Sequence, residues 1–246
     1  AINYFEQALK ICEKDLAGNK RKIMLLTEAI GRNYYYVMSI TKAIKYYERS
    51  LELSNELGAF GISYGNYSQL GNLYLELRNH KKAIELHGKA LDIAKDKFGK
   101  QSSQYSLALH NAGWASFEAG NEKKAESMLI ASIAISENLF KENEQKHKGL
   151  SVSLGVLGLL YDNQGRYKES ALLYERALKL NQKHWGEDSS YTSTTLNNIA
   201  LSNLRQNNLK TAEKLYLKAL GIRRKIYGDN HISTLVMING LSGVYE

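Results

Sequence analysis

The stretch WGEDSSYTSTTLNNIALSNL, Trp185 to Leu204, is echoed forty-two residues later as YGDNHISTLVMINGLSGVY, Tyr227 to Tyr245. Both run aromatic, Gly, acidic residue, short polar stretch, then a helical run carrying an Asn. The echo belongs to a period that covers the chain. A small residue in one helical run is followed twelve positions later by another: Gly31 and Ala43, Gly71 and Ala83, Gly113 and Ala125, Gly158 and Ser170, Ala200 and Ala212. Counted from Ala1, the second members (Ala1, Ala43, Ala83, Ala125, Ser170, Ala212) step by 42, 40, 42, 45 and 42. A fixed period of roughly 20–50 residues is the mark of a solenoid, in which each unit buries its apolar face against its neighbours only.

Each unit reads as two helices. In residues 64–79, Tyr67, Leu70, Gly71 and Tyr74 recur at helical spacing, and in 80–99 so do Ala83, Ile84, His87, Ala90 and Leu91. Lys81, Lys82, Glu85 and Lys89 fall largely off that second stripe. With no Pro in the chain, turns must rest on other residues. Arg78-Asn79, Gly120-Asn121 and Gly165-Arg166 separate the helices of a unit, and such positions end helices in the left-handed conformation. The loops KFGKQSSQ, HWGEDSSYT and IYGDNHIS join units, with Gly at a helix end and Asp, Asn or Ser to cap the next helix. Antiparallel helices approach to about 8–10 Å where little side chain intervenes. Gly71 opposite Ala83 and Ala90, filled by the bulky residue between them, is such a joint.

These residues carry a resemblance. Leu70-Gly71-x-x-Tyr74 with Ala83-x-x-x-His87-x-x-Ala90, and Leu157-Gly158-x-x-Tyr161 with Ser170-x-x-x-Tyr174-x-x-Ala177, resemble the tetratricopeptide repeat. The long period, the Leu196-Asn197-Asn198 run and the aromatic-Gly-acidic loop are similar to the variant of kinesin light chains and bacterial repeat arrays. Residues 63–95 also resemble the repeats of Pins-type polarity adaptors. The resemblance implies an all-α fold, a right-handed superhelical solenoid of antiparallel helix pairs. It divides residues 1–246 as a single array with full repeats over 23–60, 61–100, 102–141, 147–186 and 188–228. A lone second helix over 1–16 and a lone first helix over 231–246 flank them. The missing closing Pro is the departure from the family pattern.

Composition narrows the function. The net charge of +8 spreads as +2 over 1–60, +2 over 61–160 and +4 over 161–246, without the dense basic block of a nucleic-acid binder. No apolar run approaches the ~18 residues of a membrane helix. With no leader pattern and Cys12 as the single cysteine, a cytoplasmic setting is expected. The six histidines show no metal-ligand spacing, and no nucleophile elbow or phosphate loop occurs, so neither metal, cofactor nor catalysis is expected. His87 sits at the packing position of its helix, His80, His147, His184 and His231 at helix starts or in loops, and FKENEQKHK over 140–148 reads as a solvated loop.

The family resemblance places first helices on a concave groove, with Ser68, Gln69, Asn72 and Leu75, then His110, Asn111, Trp114 and Phe117, then Asn197, Asn198, Leu201 and Leu204 facing it. Glu28, Arg32 and Tyr35, with Tyr36 adjacent, come from the first repeat. Leu107, His110, Trp114 and Phe117 form one helical stripe beside the Leu109, Ala112, Gly113 and Ser116 packing stripe. That stripe is either a second buried face or an aromatic wall for a ligand, with the Asn residues offering amide forks to an extended peptide. Family members that clamp acidic C-terminal tails carry Lys and Arg where this chain has Gln69, Leu107 and Asn111. A protein partner is therefore expected: a neutral or moderately acidic, partly apolar peptide or helix. A sensor array fused to an effector enzyme, and an RNA-binding helical repeat, are the alternatives. The end helices should expose Ile2, Phe5 and Leu9, and Ile238, Leu241 and Tyr245, favouring weak head-to-tail self-association.

Overall fold

The computed structural model describes residues 2–142 and 148–245. Ala1, Glu246, His147 and most of the expected solvated loop lie outside them. Among the described residues all regular structure is helical. Two compact units divide the chain, Ala1–Met128 and Leu129–Glu246. In the first, α1 (Ile2–Cys12) leads to α2 (Leu16–Tyr36), α3 (Ile40–Glu56), α4 (Phe60–Glu76), α5 (His80–Ile93, ending in a π turn over Ala94–Phe98) and α6 (Ser103–Glu118). The helix α7 (Glu122–Glu142) crosses the division. The second unit continues with α8 (Lys148–Asn163), α9 (Tyr167–Trp185), α10 (Ser190–Arg205), α11 (Leu209–Tyr227) and α12 (Ile232–Ser242). Within each unit, consecutive helices from α1 to α6 and from α8 to α12 pack on one another. The first full pair is longer than its sequence period suggests, because α2 starts at Leu16, where Asp15 caps Gly18 N at 3.1 Å.

The glycines explain why the pairs close. A Cβ at Gly71 would lie 2.6 Å from the His87 ring, one at Gly31 3.1 Å from Tyr47, and one at Gly158 2.5 Å from Tyr174. A ring fills the space between the two small residues of the second helix, as the spacing of Ala83 and Ala90 implies, and needs the partner helix to be bare. Ala43, Ala83, Ala125, Ala177 and Ala212 are all sealed from solvent. Such a joint has no slack, so added side-chain volume is felt directly.

The turns within pairs follow the expected pattern, with one surprise. Arg78, Gly120, Gly165 and Asn207 take positive φ, and so does Met38, which nothing in its side chain favours. Gly58, Gly99, Gly186 and Gly228 supply the left-handed residue between pairs. The opening echo is a loop written twice. Thr192 Oγ1 donates to the Gly186 carbonyl and Thr234 Oγ1 to the Gly228 carbonyl, both at 2.8 Å. The aromatic before each Gly stacks on the incoming helix: Trp185 on Tyr191 at 4.8 Å and Tyr227 on His231 at 4.5 Å. Ser102 and Ser189 cap α6 and α10 as expected, but His231 Nδ1 caps α12 in place of an Asp or Asn.

Buried polar side chains stitch one pair to the next. Asn66 donates to Ser50 at 2.9 Å, which donates to the Met24 carbonyl at 3.0 Å, and Asn181 donates to Thr195 at 2.9 Å. At the chain's start, Leu9 is buried with Ile23, Met24, Ile30 and Leu53, correcting the expectation that it faces solvent. Tyr4 and Ile11 are the exposed apolar residues of α1. On α12, Ile238 is exposed, as is Tyr245 just beyond it, while Leu241 is half-buried.

Candidate functional site

Four of the first helices, α4, α6, α10 and α12, are poor in charge, whereas α2 carries Lys20, Arg21, Lys22, Glu28 and Arg32. Neither α4 nor α6 contains a Lys or Arg, and each carries one carboxylate, at its last residue: Glu76 and Glu118. On α10 the sole charged residue is Arg205, also at the end, and α12 has none. The second helices α5 and α9 are rich in charged side chains by contrast. A first-helix face poor in charge and not fully covered is the natural place for a ligand.

In the first unit, α6 shows how that face arises. Leu109, Ala112, Gly113 and Ser116 are buried, with Ser106 one turn earlier on the same side, and so are Ala108 and Ala115 on another. The second buried face is thus made of small residues, not of the aromatic stripe. That stripe is half-open: Leu107 is exposed, and His110, Asn111, Trp114 and Phe117 are half-buried. The Trp114 and Phe117 rings lie 5.5 Å apart at 45°, a tilted pair. The same face of α4 carries exposed Gln69 and half-buried Asn72 and Leu75, whereas Ser68 turns inward and donates to the Tyr64 carbonyl at 2.9 Å. On α2, Arg32 is held by Glu28 at 2.5 Å, Tyr36 is exposed, and the Tyr35 hydroxyl reaches across to Glu76 at 3.4 Å. Burial, then the Glu76 charge, holds the Tyr35 phenol above its ordinary pKa. Tyr35, Gln69, Asn72, Leu107, His110, Asn111, Trp114 and Phe117 therefore lie on first helices of one unit.

In the second unit, Asn197, Asn198, Leu201 and Leu204 of α10 are half-buried. Asn197 Nδ2 approaches Asn198 Oδ1 at 3.5 Å, and a Cβ at Gly155 of α8 would lie 3.7 Å from Asn198 Nδ2. The Asn198 amide thus lies within van der Waals reach of α8.

Sequence reasoning missed Asp162. It is buried near the end of α8 and accepts hydrogen bonds from Ser170, from Tyr174 at 3.0 Å and from Ser202 at 2.9 Å. Burial, then the Asp162 charge, drives the Tyr174 phenol far above its ordinary pKa. Tyr174 and Ser202 also line a cleft of about 420 Å³ between α9 and α10, with Ala171, Ile199 and Gln206. The lone signal in the sequence was the twelve-residue spacing of Asp162 and Tyr174, the same as that of Gly158 and Ser170.

The histidines divide. His87 is fully buried, as its packing position implies. His184 lies within α9, half-buried with its ring edge-on to Phe140 at 5.9 Å, and not in a solvated loop. His80 is half-buried at the start of α5. Among the described residues, no group of three or more His, Cys, Asp or Glu is placed to hold a metal ion. No described helix is long and apolar enough to cross a membrane.

Comparison with known proteins places the architecture. Tetratricopeptide-repeat family models match residues 64–138, 153–184 and 191–246. A clustered mitochondria protein homolog of Lodderomyces elongisporus is 25% identical over 125 residues, which is 50% of this chain but 9% of that protein. The crystal structure of BtubC (BKLC) from P. vanneervenii superposes with a TM-score of 0.71 at 19% identity, covering 92% of this chain and 91% of that one. Repeats of a putative kinesin light chain from Podospora anserina reach 0.63 at 16% identity, over 81% and 94%. A Rap protein complexed with Competence and Sporulation Factor reaches 0.65 at 17%, over 99% and 69%. The family models cover more than half of the chain, and the helix pairs repeat their spacing: this chain belongs to the tetratricopeptide repeat family.

Proposed function

We propose that the chain is a non-catalytic, cytoplasmic adaptor module that binds a peptide or helix of a partner protein on the open faces of its first helices. The observation that carries this is the charge-poor, half-open face of α4 and α6, on which Asn72, Asn111, Trp114 and Phe117 are half-buried. Aromatic side chains give large contact area at low entropic cost, and amides pair with an extended backbone. Asn197, Asn198 and Leu201 offer the second unit's share. The fold likeness to the Rap protein, solved with Competence and Sporulation Factor, accords with this reading.

The charge at the edge refines the ligand. Glu76 and Glu118 stand at helix C-termini, where the helix dipole adds further negative potential. At α4 and α6 this favours a partly apolar segment carrying a basic residue over the acidic one that the sequence also allowed. The α4 and α6 faces carry no Lys or Arg, a poor seat for a phosphate backbone, which weighs against RNA on those two helices.

Selection of peptides from a random display library on the intact chain tests the proposal. Enriched peptides should combine apolar residues with Lys or Arg. Trp114→Ala should weaken their binding by about 2 kcal/mol, and Asn198→Ala by less, at unchanged helix content. No enrichment, or enriched peptides indifferent to both substitutions, would refute it.

A further inference from the structure

The aromatic seat of the helix pair is filled five times in register, four residues after the small residue of each second helix. Its occupants are Tyr47, His87, Leu129, Tyr174 and Tyr216, every one of them buried. Four are Tyr or Leu, which carry no charge in the neutral range. His87 is the exception. Its ring lies against the bare backbone of Gly71, sealed from solvent, and neither Nδ1 nor Nε2 has a hydrogen-bond partner.

An imidazolium has two N–H donors and a full charge, and this seat offers it nothing. The helix α4 meets the ring with Gly71, and its one charged residue is the terminal Glu76. On α5 itself, Lys82 and Lys89 pair with Glu85 on the exposed side. The π turn's Lys95, Asp96 and Lys97 are exposed. From α6 comes His110, the ionisable group whose charge reaches His87 among the described residues, and its charge repels a second cation.

We propose that the α4–α5–α6 joint is an acid-release latch: protonation of His87 drives its ring off the Gly71 seat and loosens α5 from α4 and α6, while the Tyr-filled joints hold. Burial, then His110, lowers the His87 pKa to about 4, and burial lowers that of His110 to about 4 as well. The folded value lies below the ordinary 6.5 of the unfolded chain, so the folded state resists a proton that the unfolded state accepts. Stability from this site is complete above pH 6.5 and is lost as pH falls from 6.5 towards 4. Since α6 carries Trp114 and Phe117, the same event would loosen that face.

The neighbouring joints suggest the control. His87→Tyr places a Tyr where Tyr47 and Tyr174 already sit on Gly31 and Gly158, and His87→Leu copies Leu129. Urea unfolding of the intact chain should show the wild-type unfolding constant rising about 50-fold more than that of His87→Tyr between pH 7.5 and 4.5. Hydrogen exchange at pH 5 should lose protection first in α5 and α6. Should His87→Tyr not fold, His87→Leu serves, and NMR titration of the native His87 ring needs no variant. A ring that protonates near pH 6.5 without loss of protection, or parallel acid curves for wild type and either variant, overturns the latch.

Discussion

The joint between α4 and α5 and the joint between α8 and α9 are the same design with opposite polar solutions. In both, a Gly of the first helix receives a ring from the second, within 2.6 Å of its missing Cβ at Gly71 and 2.5 Å at Gly158. In the α8–α9 joint the ring's polar end is satisfied, because the Tyr174 hydroxyl donates to Asp162, which Ser170 and Ser202 also bind. In the α4–α5 joint the ring nitrogens of His87 have no partner. Packing geometry is thus set by volume, while the chemistry at the tip of the ring is free to vary. The variation decides how each joint responds to pH and to mutation: one depends on a network, the other on staying neutral.

The largest effect should come from breaking the network. Asp162→Ala leaves the Tyr174 and Ser202 hydroxyls buried without their acceptor, while Ser170 keeps the Tyr167 carbonyl, at about 2–5 kcal/mol, since each unsatisfied buried group costs about 1–3 kcal/mol. Urea unfolding at pH 7 would read it directly. Because Ser202 belongs to α10, the α9–α10 contact should lose exchange protection together with α8–α9. A loss below about 1 kcal/mol would show that the carboxylate adds little to the joint.

A Cβ tests what the two joints share. Gly71→Ala and Gly158→Ala should each cost about 1–3 kcal/mol, since either ring must move off a backbone it already touches. The Gly158 site should suffer more, because displacing Tyr174 also strains its bond to Asp162. Equal costs at both sites would mean that only volume matters. Thermal unfolding of the two variants at pH 7 decides between these outcomes.

How far the chain could be read follows from these same residues. The period, the helix pairs and the Gly–ring joints were legible because steric fit imposes a residue type, small or large, at a fixed spacing. His87 was legible as core for the same reason. Asp162 was not, since a buried carboxylate is tolerable only with donors arriving from α9 and α10, and such donors leave no mark in local periodicity. The half-open stripe of Trp114 and Phe117 was undecidable between core and groove. Its exposure depends on Ala108 and Ala115 being small enough to take the second packing face, a property of the neighbours and not of the aromatics.

The turns that close the two joints repeat the contrast on a smaller scale. Between α8 and α9 the left-handed residue is Gly165, with φ 73°, which costs nothing sterically. Between α4 and α5 it is Arg78, with φ 57°. A side chain in that region crowds the adjacent carbonyl, at about 1–2 kcal/mol per residue. The turn is held nonetheless, since Asn79 N donates to the Tyr74 carbonyl at 2.8 Å and Asn79 Oδ1 caps Lys82 N at 3.1 Å. Arg78 is exposed and forms no ion pair among the described residues, so its replacement loses little. Arg78→Gly should therefore stabilise the chain, by less than the full relief because Gly is more flexible when unfolded; about 0.5–1 kcal/mol is expected. The reverse change, Gly165→Ala, should destabilise by a similar amount. Differential scanning calorimetry of both variants would expose a failure if Arg78→Gly lowered Tm, for the α4–α5 turn would then draw stability from the arginine side chain that its geometry does not reveal.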